Sequence, residues 1–227
     1  YKALEIDEWM VDPNVIDPRM RKVSDDHYIS QWGYSKKKVH ADFGAYWDIC
    51  EPPLKDATTI ADVEKHNWPD PKLIKFDHYT DKFKEMGDRA FIAHITHGAY
   101  FNSTYAKGQE QFLMDMALEP EFAKSIMDHC ENYIQGAIDN LLANAPVLPD
   151  VYYIADDFCS SNGPLFSPEM WREWVKPYLT RMAAKVHAKG LKFMIHVCGS
   201  VRPFIPDLIE AGVDILEPVQ TTAKGMA

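Results

Sequence analysis

The chain has 227 residues, 46% apolar and 12% aromatic, enough to bury a substantial core as one ordinary globular domain. Its 24 basic and 34 acidic residues leave a formal charge of −10, which repels phosphate backbones and argues against nucleic acid or anionic lipid as a partner. No run approaches the roughly 18 apolar residues of a membrane span, and the opening YKALEIDEWM lacks a signal pattern, so no membrane contact and a cytoplasmic location are expected.

Residues 1–89 read as irregular. Aspartate and proline dominate the opening, and HYISQWGY and KVHADFGAYW then carry the aromatic, roughly alternating pattern of a twisted hairpin, an ornament outside the core. TTIADVEKHNW begins on a capping threonine and stops at Pro69 and Pro71, so a short helix is expected, with another in KFDHYTDKFKEM. Regular β/α alternation starts near residue 90 with the apolar strand AFIAHIT (90–96). The polar stretch HGAYFNSTYAKG follows, with Tyr100, Phe101 and Tyr105 expected to pack in a loop, and then come helices in QEQFLMDMAL and from Pro120 to about Asn144.

VYYIADD (151–157) repeats the strand signal, and after the loop FCSSNGPLF a helix is capped by Ser167, with Pro168 at its first position and Gly190 beyond its end. Pro177 predicts a kink inside it. The strand KFMIHVCG, a short helix from about Arg202 to Ala211, and the strand VDILEPVQ (213–220) complete the pattern. Strands joined through helices by such short connections must run parallel, so the class is α/β; periodicity alone leaves an open sheet and a barrel as alternatives.

Polar residues gather at the carboxyl ends of these strands: His94, Thr96 and His97; Asp156 and Asp157; His196 and Cys198; Glu217 and Gln220. That edge is where parallel α/β proteins build their sites. Residues i and i+2 of a strand share a face, which sets Lys192, Met194, His196 and Cys198 on one side and the apolar Phe193, Ile195 and Val197 on the other. An imidazole and a thiol so placed suit zinc, which takes about three protein ligands and keeps a position open in catalytic sites. Glu217, at the end of the next strand, is the expected third ligand. The bland alternative is a small buried thiol beside a hydrogen-bonded histidine. Asp156 and Asp157 are candidates for orienting substrate or accepting a proton, and being adjacent they cannot share a face; His94, His97 and Gln220 are candidate substrate contacts. The four cysteines (Cys50, Cys130, Cys159, Cys198) are too few and too scattered for a disulfide framework and read as free thiols.

From Tyr153 to Met226 the chain resembles the uroporphyrinogen decarboxylase superfamily, and within it the corrinoid-linked methyltransferases. The paired aspartates, GPLFSPEMW, the mid-helix proline, AKG, HVCG and GVDILEPVQ carry the likeness, and YISQWGY, EPPL, TTIADVEKHNWPDP and KGQEQFLMDMALEPE extend it over nearly the whole chain. The resemblance implies a (β/α)8 TIM barrel seen as an incomplete piece, since members begin with a further strand and continue well past Met226. In the methylcobamide:coenzyme M methyltransferase branch, H-x-C supplies two zinc ligands, matched here by His196 and Cys198, and a later cysteine supplies another, which would lie beyond Ala227. More distant cobalamin-independent methionine synthases follow the pair with a glutamate, which Glu217 imitates. The implied function is zinc-dependent transfer of a methyl group between a corrinoid (methylcobalamin), carried by a corrinoid protein, and a thiol or folate acceptor. The decarboxylases themselves carry an arginine-rich N-terminal motif that is not visible in this sequence. Tetrapyrrole decarboxylation and a non-catalytic corrinoid-docking barrel are the alternative expectations.

Overall fold

A computed structural model describes residues 8–42 and 44–227. Residues 1–7 of the opening, and Phe43 of the hairpin pattern, lie outside these ranges. The first strand, β1 (Glu8–Val11), is followed by the two-residue β2 (Asn14–Val15). β3 (Arg21–Ser24), β4 (His27–Ile29), β5 (Ser35–Ala41) and β6 (Gly44–Glu51) form a four-stranded antiparallel sheet in that order, broader than a single hairpin. Nor is this half an ornament. Trp32, Tyr34, Leu54, Phe76 and Tyr79 are buried in the same apolar core as the later helices. Indoles and phenols bury large areas, and Trp32 packs edge-on to Tyr133 at 4.7 Å.

α1 (Ile60–Lys65) starts on a capping box, Thr59 accepting from Asp62 N–H while the Asp62 carboxylate accepts from Thr59 N–H. It ends several residues before Pro69. β7 (Ile74–Lys75) pairs with β2, and α2 (Tyr79–Met86) leads into β8 (Ala90–His97). The stretch expected to be a loop is helical: α3 (Ala99–Lys107) runs into α4 (Gln109–Leu118) and α5 (Pro120–Asn144). Polar residues of α3 escape the cost of burial by bonding backbone carbonyls within reach. Ser103 donates to Ala99 O at 2.7 Å, Thr104 to Phe101 O at 2.7 Å and Asn102 to His97 O at 2.8 Å.

β9 (Val151–Ala155) stops two residues short of the expected end, and the loop after it holds the small hairpin β10 (Cys159–Ser160) and β11 (Gly163–Pro164). The helix capped by Ser167 is divided into α6 (Pro168–Trp174) and α7 (Lys176–His187) at Val175. Pro177 explains the break, because it cannot donate to the carbonyl four residues back. β12 (Lys192–His196), α8 (Ile205–Glu210) and β13 (Ile215–Glu217) complete the chain.

The central sheet has the order β1-β8-β9-β12-β13, every pair parallel. Strand order therefore follows sequence order, as in a barrel wall, without the reversal of a doubly wound sheet. The short strand β1, which has no run of alternating apolar residues, is the member that pattern reading missed. Phe91, Ala93, Tyr152, Ile154, Phe193 and Ile195 are buried on the outer face, in the same core as the helices. Ile92, Val151, Tyr153 and Met194 form a separate small cluster on the inner face.

Candidate metal centre at the strand ends

Strand pairing places the site residues. His196 stands opposite Ala155 on β9 and Glu217 on β13. Just past the strand, Val197 N–H still donates to Glu217 O at 2.9 Å. His196 Nε2 then lies 3.1 Å from Cys198 Sγ. Asp157 Oδ1 accepts from Cys198 N–H at 2.7 Å and sits 3.9 Å from His196 Nε2. One donor atom each from Asp157, His196 and Cys198 falls within 4.8 Å of the others, and this is the one such trio among the described residues.

Glu217 takes a different place from the one expected. Its carboxylate lies 2.6 Å from His196 Nδ1, on the ring nitrogen away from Cys198. It therefore orients the imidazole, and Asp157 is the carboxylate grouped with the pair. Gly199 turns the chain away from the site at φ +95°, where a side chain would be strained and a Cβ would come within 2.5 Å of Ser160 O. Gln220 accepts from Gly199 N–H at 2.8 Å, so it braces this turn.

The two neighbouring aspartates part company. Asp156 is 0% exposed, accepts from Phe101 N–H at 2.8 Å and from the Tyr178 hydroxyl at 3.3 Å, and so caps the start of α3 from outside that helix. Burial pushes its carboxyl up to about 7, with those two donors pulling the other way. It faces the helical layer; Asp157 faces the mouth.

Cys198 is also pushed above its ordinary value, by burial and by the negative charges of Asp157 and Glu217. That is the wrong direction for a free nucleophile.

His94 and His97 come together although an i, i+3 spacing on a regular strand would separate them. The register of β8 against β9 shifts between His94 and Thr96, and this bulge turns both rings to the inner side, 5.7 Å apart. His94 Nδ1 lies 3.0 Å from Asp12 Oδ1. Burial, with His94 and Lys36 nearby, pushes His97 down to about 3, so it is neutral. The Tyr153 ring lies between His94 at 5.0 Å and His196 at 6.5 Å. Phe101 and Tyr105, on α3, pack edge-on to His97 at 5.0 and 5.6 Å, while Tyr100 is buried in the core. Asp12 and Tyr153 are the site members that sequence reading missed. For Tyr153 a signal existed, since alternation from Val151 puts it on the Asp157 side of β9.

These observations bring the chain to known proteins. Residues 50–222 match the uroporphyrinogen decarboxylase (URO-D) family. The chain belongs to that family. Its fold is the TIM barrel, of which the five parallel strands are part of the wall. Among solved structures, a methyltransferase from Methanosarcina mazei superposes with a TM-score of 0.56 at 19% identity, covering 82% of this chain and 52% of that one. The chain thus spans about half the length of that structure. No curated protein matches the sequence. No helix among the described residues is long and apolar enough to cross a membrane.

Proposed function

We propose that this URO-D family chain forms the metal-bearing part of a zinc-dependent methyltransferase, which moves a methyl group between a corrinoid delivered by a partner protein and a thiol or folate acceptor. The observation that carries this reading is the convergence of Asp157, His196 and Cys198 with Glu217 behind the imidazole. The donor set suits zinc. Ligand distances of about 2.3 Å to sulfur and about 2.0–2.1 Å to nitrogen or oxygen let one ion reach all three with small side-chain movements, leaving a fourth position for another ligand or for substrate. A carboxylate on the far nitrogen of a ligating histidine is the usual outer support of such sites. The likeness to a solved methyltransferase agrees with the reading.

A zinc ion held here would act as a Lewis acid and lower the pKa of a bound thiol, so that thiolate is available at neutral pH. Glu217 accepts from His196 Nδ1–H and so leaves the Nε2 lone pair facing Cys198 and Asp157. Asp157 accepts from Cys198 N–H, which holds the Cys198 backbone in place, and adds an oxygen to the donor trio. Asp156 contributes by fastening α3, whose Phe101 and Tyr105 wall the mouth.

The six arginines of this chain do not gather at the candidate centre. Arg19 pairs with Asp17, Arg172 with Asp207 and Arg181 with Glu131. Arg89 donates to Met86 O, Arg202 donates to Gly225 O, and Arg21 is exposed on β3.

Elemental analysis tests the proposal. Stoichiometric zinc is expected in the purified protein, with loss in Cys198→Ser and in Asp157→Asn, both still folded by circular dichroism. Equal metal in all three proteins would reject this site. Porphyrinogen turnover undiminished by EDTA would replace the reading with decarboxylation.

A further inference from the structure

Beside the metal centre lies a second cluster whose chemistry the proposed reaction does not use. His94 Nε2 and His97 Nδ1 are both buried without a hydrogen-bond partner. Buried polar atoms are nearly always satisfied, and two orphans on adjacent rings mark a place where something else supplies the partner. Whatever proton each ring carries, its unpartnered nitrogen needs a polar group from outside, and the other nitrogen of His94 is already 3.0 Å from Asp12 Oδ1. The pair therefore calls for a polar group of a ligand. The surrounding charge says which kind: Asp12 lies behind His94, and Asp157 and Glu217 stand at the neighbouring strand ends. Aromatic faces complete the surroundings, with Tyr153 on the His94 side and Phe101 and Tyr105 on the His97 side. Such rings attract a cationic nitrogen. Lys36 is the opposing charge: its Nζ rests 5.3 Å from the Tyr105 ring centre and 5.7 Å from that of Tyr34. A second cation must stay clear of it, which favours the His94 end, next to Asp12.

We propose that Asp12, His94 and His97 form a subsite for a protonated amine of the molecule bound in this mouth. The small substrate is then an amine or aminothiol whose nitrogen docks here while its reacting end lies across Tyr153 at the metal centre. Only the placement of that reacting end rests on the methyltransferase reading.

The test is a titration of the purified full chain, its histidine rings labelled with nitrogen-15, with n-butylammonium, butyrate and 1-butanol as separate probes, and with zinc content measured on the same sample. Butylammonium should shift the His94 and His97 ring resonances saturably, and butyrate should not. Asp12→Asn and His94→Phe should each weaken butylammonium binding by about tenfold or more, the loss expected for one hydrogen bond to a charged group. Asp12 is on the surface, so its variant keeps the fold and isolates the charge. Butyrate binding as well as or better than butylammonium, or both variants binding like the original chain, would overturn the proposal. Amine binding without zinc would sink only the methyltransferase reading, and zinc without amine binding only this one.

Discussion

The two faces of the five-stranded sheet obey different rules. On the outer face Tyr152, Ile154, Phe193 and Ile195 are fully buried and apolar apart from one phenol. On the inner face, one step further along the same strands, stand the partly exposed His94, His196 and Glu217, with the buried Tyr153 ring between the two histidines. Side-chain alternation thus divides the work within a single strand: the odd positions of β12 pack under the helices, while the even ones run from Lys192 through the buried Met194 to His196 at the strand end. Stability and ligand binding should therefore be separable by substitutions one residue apart.

The harshest attempt to break this division is Phe193→Ala. Emptying a fully buried ring site should cost about 3–5 kcal/mol of stability by urea unfolding, while zinc affinity of the folded protein stays unchanged. A parallel loss of zinc affinity would show that the faces are not independent. Next in size is the pH dependence set by Asp156. Its folded value of about 7 lies above the unfolded value near 3.8. Between those limits the native state holds the extra proton, so the contribution is fully present below about pH 4 and is lost as pH rises to about 7, on the order of a few kcal/mol. Asp156→Asn keeps an oxygen for Phe101 N–H and should flatten that slope, as unfolding at pH 5 and pH 8 would reveal. An unchanged slope would assign the titration to other groups. The gentlest probe is Glu217→Gln on the inner face. It should weaken zinc binding about 10–100-fold in a chelator competition and shift global stability by no more than about 0.5 kcal/mol.

What the residues announced in advance was whatever has a period. The strands near 90, 151, 192 and 213 stand out because apolar side chains fill both faces or alternate, and the His196–Cys198 pairing follows from two-residue spacing. β1 escaped because a four-residue strand with Glu8 at its start offers too little pattern. α3 escaped because Asn102, Ser103 and Thr104 look like loop residues; their burial depends on carbonyls one turn away, which no hydrophobicity profile registers. The meeting of His94 with His97 depends on a bulge, and a bulge inverts the facing rule from that point onward. The choice of Asp157 over Glu217 beside Cys198 was hidden for a similar reason: it turns on the path of the chain after Ala155, whereas Glu217 sits in regular pairing with His196 and meets its nearer nitrogen.

The adjacency of Asp156 and Asp157 adds to a bond that already joins the two parts, Asp156 N–H donating to His196 O at 3.0 Å. One peptide link, about 3.8 Å between α-carbons, joins the carboxylate that anchors a helix to the one that faces the mouth. A substitution that moves either carboxylate is therefore expected to disturb the partners of the other, the aromatic rim in one case and the inner donor trio in the other.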